Sequence, residues 1–533
     1  MEVECIPFRK TGYFSSLICD YLDQKEELKS FYNHFPTPEN FKKQILEKQQ
    51  NYNPKHRAIL VNSLHNQYKG FNVSETTRNH IEVLLEENTF TVTTGHQLNL
   101  FTGPIYFLYK IVSTINLTIK LKEEHPDFNF VPVYWMATED HDFDEINYFN
   151  FAGQKVKWNI ETSGAVGRLE TQGLDELFET WSSELGDSMN AQKLKTLFQK
   201  SYLEHDNLSE ATRYLVNELF GEYGLVIVDG DDSELKRLLS SYVQKDIFEN
   251  VSFNFVSDSI SQLSGVSSKY KIQVNPREIN YFYLKEGLRE RIVEKDGIYT
   301  VNNTEIEFSR EELGSELENH PERFSPNVIA RPLYQEVILP NLCYVGGGGE
   351  LAYWLELKSY FEELGVTFPM LLLRNSALLM AKKQKEKIEK LELHTADLFL
   401  KQQDLINKKV REISEINIDF SSQKKYLEEQ FIALHELAKN TDSTFLGAVR
   451  AQEVKQKKGL DALEKRLLKA QKRKLNDHVH RMTDLQNSLF PNQSLQERHT
   501  NFSTLYLELG ERLIPELIAS LEPLQSCFSV LRY

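Results

Sequence analysis

Short runs of β-branched and aromatic residues punctuate the first 374 positions of the chain: TFTVTTG (89–95), NFVPVYWMAT (129–138), LVIVDG (225–230), ILPNLCYVG (338–346) and TFPMLLL (367–373). Amphipathic helical stretches lie between them. Strands buried on both faces and separated by helices pair in parallel under two helical layers. The pattern predicts an α/β core over 1–374 with a mostly parallel, Rossmann-like sheet. Two connections, near 148–210 and 251–330, are too long for simple βα loops. They contain hairpin-like INYFNFAGQKVKWNI and DGIYTVNNTEIEF and read as insertions.

From Asn375 the pattern changes to helix rich in Lys, Glu and Gln. Apolar residues recur near heptad spacing at Ile388, Leu391, Leu398, Leu405, Val410 and Ile413, and again at Leu460, Leu463, Leu467, Leu475, Val479, Met482 and Leu489. A narrow apolar stripe on long helices predicts an antiparallel coiled-coil arm over 375–490. The breaks INIDFSS and KNTDSTF carry helix-capping residues and predict a short middle helix between two long ones. A last helix from about 442 to 488 would extend roughly 70 Å. LFPNQS ends the arm, since Pro491 cannot continue a helix. The segment 491–533 is expected to pack back on the core, with one amphipathic helix near 503–522.

Composition narrows the function. At 533 residues, 40% hydrophobic and 26% charged, the chain folds into two or three domains. A formal net charge of −16 argues against a field that draws nucleic acid or anionic membrane. The basic stretch 455–474 is interleaved with acids, lacks aromatic stacking partners, and reads as a solvated coiled-coil face. No apolar run approaches the ~18 residues of a membrane span. Glu2, Glu4, Arg9 and Lys10 interrupt the first twenty residues, so a cytoplasmic protein is expected. Cys5, Cys19, Cys343 and Cys527 have no CxxC spacing, and neither a disulfide framework nor a cysteine zinc site is expected. Cys343, inside a strand, reads as a small buried hydrophobe.

Three segments carry candidate chemistry. In TTGHQLNLFTGPIY a strand ends at Thr94 and a helix is expected to open at Pro104. Gly95 and Gly103 permit close backbone approach, and His96, Gln97 and Asn99 offer polar groups where open α/β sheets bind ligands. In VPVYWMATEDHDFDEIN an apolar strand runs into Glu139, Asp140, His141 and Asp142, which can bind an ammonium group or move a proton. In the third, Arg331, Gln335 and Glu336 precede a strand, then Gly346, Gly347, Gly348 and Gly349, then Glu350, Tyr353 and Trp354 on a helix. That turn could cradle an anion on backbone N–H groups but lacks the Lys-Ser/Thr of a Walker loop. LVIVDGDDSELK, with Asp229, Asp231 and Asp232, and QVNPREINYFYL, with Arg277 and Asn280, read more simply as turns.

TGHQLNLFTGPIY, WMATEDHDFDEIN, RPLYQEVILPNLCYVGGGGELAYW, FPMLLLRNS and LFPNQSLQER, in that order, resemble the bacillithiol-biosynthesis cysteine-adding family over essentially the whole chain. The resemblance implies a Rossmann-like core similar to class I aminoacyl-tRNA synthetases, two connecting-peptide insertions, and a coiled coil that makes a homodimer. It also implies a ligase that joins L-cysteine to the amine of glucosaminyl malate, with ATP or another adenine nucleotide as the suspected cofactor. GHQLN then stands where such enzymes grip phosphates, which assigns Thr94, Gly95, Gln97, Gly103 and Arg374 to the nucleotide. His96, Asn99 and Glu139 to Asp142 become the catalytic candidates. Arg331, Gln335, Glu336 and the Gly346 to Gly349 turn with Glu350, Tyr353 and Trp354 become the substrate wall. Arg331 and Arg374 are the choices for the malate carboxylates. Two rivals remain: a nucleotide-sensing coiled-coil scaffold, and a metal-dependent hydrolase built on the Glu139 to Asp142 loop.

Overall fold

A computed structural model describes all residues from Met1 to Tyr533. They form two compact units, Met1–Leu379 with Gln496–Tyr533, and Met380–Leu495. In the first unit the five apolar runs become the strands β1 (Thr89–His96), β2 (Asn129–Met136), β3 (Val226–Asp229), β4 (Asn341–Gly346) and β5 (Met370–Leu373). All neighbours are parallel, in the order β3-β2-β1-β4-β5. Every residue of β1 is buried, as two covered faces require. Phe90 and Val92 of β1, with Leu342, Cys343 and Val345 of β4, pack against Leu117 and Leu121 of the crossover helix Tyr106–Glu124 and Phe41 and Ile45 of the helix Pro38–Asn51. Cys343 is therefore core, and burial pushes its thiol pKa well up. The crossover helix opens at Tyr106 rather than Pro104. Phe101 (φ 47°) and Thr102 (φ 67°) take left-handed backbone ahead of it, and Pro104 bridges to Asn501 instead.

The long connections carry their own sheets. Tyr148–Phe151 pairs antiparallel with Gln154–Lys157. Between β3 and β4, Tyr281–Lys285, Leu288–Lys295, Ile298–Val301, Glu307–Ser309 and Phe324–Pro326 form a five-stranded antiparallel sheet. The tail has two helices, Phe502–Leu509 and Leu513–Ser520, where one was expected. Gly510 (φ +60°) divides them, and the Asn190 side chain lies 2.6 Å from where a Cβ of residue 510 would sit. Asn501 donates to the carbonyls of Phe101 (2.7 Å) and Gly103 (2.6 Å), so the tail holds the turn after β1.

The expectation of no disulfide is corrected. Glu2–Ile6 pairs antiparallel with Phe528–Arg532, which brings Cys5 beside Cys527, and the two form a disulfide. Their separation of 522 residues leaves no local signal of this pairing. Cys19 and Cys343 are free and buried.

In the second unit the heptad stripe is divided more than its period suggests. Lys382–Lys390 ends at Leu391, and Glu392 (φ 50°) turns the chain so that Leu393, Leu398 and Phe399 bury before Gln402–Ile413 begins. The middle helix, Ser421–Lys439, is 19 residues long. The last helix is interrupted at Leu475, giving Ser443–Lys474 and Asn476–Leu489. The 32 residues of Ser443–Lys474 extend ~48 Å at the α-helical rise. Two small cores close the unit: Val410, Ile418 and Leu468, and Phe431, Ala438 and Val449.

Phe90→Ala, which empties the centre of the α/β core, should lower unfolding free energy by about 3–5 kcal/mol in urea titrations. Leu463→Ala, at a half-exposed position of the arm, should change it by less than ~0.5 kcal/mol. Equal costs would contradict the placement of the core.

Candidate active site

A cavity of about 650 Å³ opens at the carboxyl ends of β1 and β2, next to the β1–β4 boundary where strand order reverses. That crevice is where open α/β sheets bind ligands, because successive crossovers run to opposite sides there. Its floor starts at Gly95. A Cβ at that position would lie 3.3 Å from the Tyr344 hydroxyl and 3.6 Å from the Arg331 guanidinium, so glycine lets three elements meet. Lys110, from the crossover helix, is buried beneath, donating to the Gly95 carbonyl (2.6 Å) and pairing with Glu350 (2.6 Å). Burial lowers its pKa and Glu350 opposes that shift. Tyr344 donates to the other Glu350 oxygen at 2.7 Å. His96 packs on Tyr106 and Phe107, and its buried Nε2 has no partner. Burial, helped by the Lys110 and Arg374 charges, holds its pKa well below the usual histidine range. The ring is therefore neutral, with its Nε2 open to a ligand.

The acidic wall is less uniform than its sequence. Glu139 pairs with buried Lys236 at 2.5 Å, and Lys236 also meets Asp231 at 3.3 Å. Arg168 grips Asp231 with two hydrogen bonds of 2.7 and 2.8 Å. Burial raises the Glu139 pKa against the pull of Lys236, with Asp231 adding to the rise. Burial also opposes ionisation of Asp231, but Lys236 and Arg168 outweigh it and hold its pKa below the usual range. Asp140 accepts from Gln97 (2.8 Å) and from the His141 backbone N–H (2.8 Å). His141 Nδ1 stands 2.6 Å from Arg289 Nη1. A guanidinium only donates, so Nδ1 accepts and the imidazole proton sits on Nε2. In this arrangement His141 offers a donor to a substrate and has no free basic nitrogen.

The opposite wall comes from the antiparallel sheet. Arg289 lies over the Phe282 ring at 4.0 Å and donates to Ser325 at 3.1 Å. Burial lowers its pKa, while Glu139 and Asp140 raise it. The strap Gln273–Arg277 completes the rim. Buried Glu356 anchors it by accepting the Gln273 N–H at 3.0 Å.

Of the residues singled out in the sequence, Gly95, His96 and Gln97, then Glu139, Asp140 and His141, Arg277, and finally Arg331, Glu350 and Tyr353 line this cavity. The others are engaged elsewhere. Thr94 donates to the Val345 carbonyl inside the sheet, and Asn99 donates to the Glu145 carbonyl. Gly103 (φ +61°) is shaped by the Asn99 side chain, 2.7 Å from where its Cβ would be. Asp142 is exposed outside the cavity. Gln335 donates to Glu336, whose carboxylate pairs with Lys48 at 3.1 Å within the core. None of Gly346 to Gly349 lines the cavity; the chain re-enters helix at Gly348, and only Glu350 and Tyr353 reach it. Trp354 is stacked behind Tyr344 at 4.5 Å. Arg374 is buried and doubly bonded to Glu497, so its charge is already used. Sequence reading missed Lys110, Lys236, Arg289 and Glu356. A lone lysine inside the apolar YFLYKIVSTINL is the one visible signal among them. No three His, Cys, Asp or Glu side chains converge as metal ligands, since each member of the acidic loop faces a different partner.

A 3-2-1-4-5 parallel sheet with a polar cavity at its point of reversal defines a Rossmann-like α/β enzyme. Residues 1–375 match the profile described as bacillithiol biosynthesis BshC, N-terminal Rossmann-like domain, and residues 377–533 match bacillithiol biosynthesis BshC, C-terminal coiled-coil domain. Two proteins named "Putative cysteine ligase BshC" are close relatives. That of Flavobacterium johnsoniae is 58% identical over 531 residues, covering 100% of both chains. That of Christiangramia forsetii is 59% identical over 537 residues, covering 100% of this chain and 99% of its own. A solved Campylobacter jejuni chain named "putative arginyl t-RNA synthetase" aligns over 84% of this chain and 98% of its own, at 10% identity and a TM-score of 0.22, a likeness that carries no argument. The chain belongs to the BshC family of bacillithiol biosynthesis, and it is a ligase.

The anchor of the strap is pH-sensitive. Burial raises the Glu356 pKa from 4.5 to about 7, against the hydrogen bonds from Gln273 and Val274. A carboxyl whose pKa is higher folded than unfolded contributes stability below the unfolded value, and that stability is lost as pH rises through the folded one. Between pH 4.5 and 8, Glu356→Gln should gain on the wild type by an amount on the order of 3 kcal/mol in urea titrations. Parallel pH dependence of the two proteins would show that Glu356 ionises freely.

Proposed function

We propose that the chain forms the amide bond between the carboxyl of L-cysteine and the amine of glucosaminyl malate. A sugar ammonium must lose a proton before its nitrogen attacks an acyl carbon. The observation that carries the reading is Glu139, a carboxylate at the cavity wall whose pKa is raised by burial and limited by Lys236. It takes the proton, and Lys236 compensates the change in charge. His141, with its proton on Nε2, donates to a substrate oxygen. At the floor, Arg331 and the Lys110–Glu350 pair hold the cysteine carboxylate and ammonium.

The free Nε2 of His96 beside Gly95 fits an oxygen of a phosphate or carboxylate. Thr94, Gly103 and Arg374, engaged elsewhere, take no part in that contact. ATP or another adenine nucleotide, when bound, supplies the leaving group that activates the cysteine carboxyl. An ATP-drawing synthesis of a thiol metabolite belongs to the cytoplasm, where we place the protein.

The arm makes a homodimer in this reading. Ile432 (62%), Leu437 (58%) and Val454 (52%) are exposed apolar side chains on its helices, and a second arm would cover them. Leu437→Glu should leave a monomer by light scattering; an unchanged mass would place the dimer contact elsewhere.

Glu139→Gln should lower kcat by about 100- to 1000-fold with little change in KM. Loss of the Lys236 charge in Lys236→Met raises the Glu139 pKa further, so the acidic limb of the pH–rate profile should move to higher pH. Wild-type turnover by Glu139→Gln, in a purified assay or as bacillithiol restored to a strain lacking the gene, would remove Glu139 as the base.

A further inference from the structure

Two guanidinium groups in the cavity have no partner in the chain. Arg277 and Arg291 both line it, and neither guanidinium makes a hydrogen bond or an ion pair within the chain. The other cations there are engaged: Lys110 with Glu350, Arg289 with the His141 nitrogen and Ser325, and Arg331 with the Gln335 side chain. In a protein of net charge −16, an unmatched pair of guanidinium groups on one wall is a local reversal of sign. Two such groups lining one cavity have hydrogen-bond donors and positive charge to offer an anion.

Their backbones are held. Arg291 lies opposite Phe282 in the antiparallel ladder, and it is two residues from Arg289, so both arginines leave the strand on the face that carries Phe282 into the cavity. Arg277 is pinned by Asn280, which accepts its backbone N–H (3.1 Å) and donates to its carbonyl (2.7 Å). Asn280 is buried and is itself held by Ser252 at 2.7 Å. What is left without a partner is the guanidinium group, the part that would meet a ligand.

We propose that Arg277 and Arg291 form a dicarboxylate-reading subsite that takes the two carboxylates of the malate group. The inference rests on the amide-forming reading above. Planar guanidinium forks match carboxylates bidentately. The subsite spans the antiparallel sheet and the strap before it, away from the floor where Gly95 and His96 accommodate the activated acyl group. A substrate anchored here by malate therefore crosses the cavity and presents its sugar amine at the Glu139 wall. This places malate recognition on the insertion rather than on Arg374, whose charge Glu497 already neutralises.

The test is calorimetric titration of wild type and of Arg277→Gln/Arg291→Gln with four probes: glucosaminyl malate, methyl glucosaminide, L-malate and inorganic tripolyphosphate. Both side chains are exposed, and circular dichroism with a melting curve verifies folding. Glucosaminyl malate should bind the variant about 30- to 1000-fold more weakly, the loss shrinking in high salt. Methyl glucosaminide, which lacks the carboxylates, should bind both proteins alike. Equal binding of glucosaminyl malate to both proteins overturns the subsite and leaves the amide-forming reading standing. Arginine-dependent binding of L-malate with no binding of glucosaminyl malate keeps the subsite and overturns that reading. Loss of tripolyphosphate binding alone reassigns the arginines to a phosphate and overturns the subsite.

Discussion

A lysine ammonium buried at the end of a parallel sheet must find its acceptors within reach of its own side chain, and Lys110 finds two. The Gly95 carbonyl and the Glu350 carboxylate draw together the end of β1, the crossover helix and the helix after β4. Tyr344 completes the arrangement from β4. Because a buried charge left without its partner costs about 3–5 kcal/mol, these elements are tied to one geometry. The opening at the point of strand reversal is the space left above that knot. Gly95 has no side chain because Tyr344 and Arg331 already stand where one would project.

The same rule sorts the acidic loop. In sequence, Glu139, Asp140, His141 and Asp142 are one dense run of polar groups. In the fold each meets a different neighbour: a buried lysine, a glutamine amide, an arginine, and solvent. Those neighbours set the chemistry. Burial raises the Glu139 pKa against the pull of Lys236, whereas Arg289 occupies the Nδ1 of His141. Asp231, three residues beyond the end of the visible strand run's apolar core, serves the site indirectly by fixing Lys236. The arrangement is supported from three separate stretches of chain, so its sensitivity to substitution extends well beyond the residues that face the cavity.

Much of the architecture was legible because it follows from periodicity. The five apolar runs became the five parallel strands, and the two hairpin-like segments became antiparallel pairs. Local period misjudged the places where one backbone dihedral intervenes. Glu392 breaks the first arm helix, Leu475 interrupts the last, and Gly510 divides the tail helix, each through a turn that hydrophobic spacing does not encode. The Cys5–Cys527 disulfide was invisible for a related reason, since it depends on a terminal strand pairing and not on cysteine spacing.

By itself, the amino-acid sequence determined the α/β core, the helical arm, the family and the stretches from which the cavity is made. Each of these depends on short-range pattern or on motifs read in order. Only the tertiary structure decided which polar residues have charge or hydrogen-bonding capacity to spare. Arg374 and Glu336 looked like ligand-binding groups but are consumed by Glu497 and Lys48, whereas Arg277, read in the sequence as part of a turn, and Arg291, which carries no motif, have guanidinium groups without a partner. The physical reason is that a buried charge is defined by its partner, and the partners of Arg374 and Glu336 lie 123 and 288 residues away in the chain, while those of Arg277 and Arg291 are missing altogether.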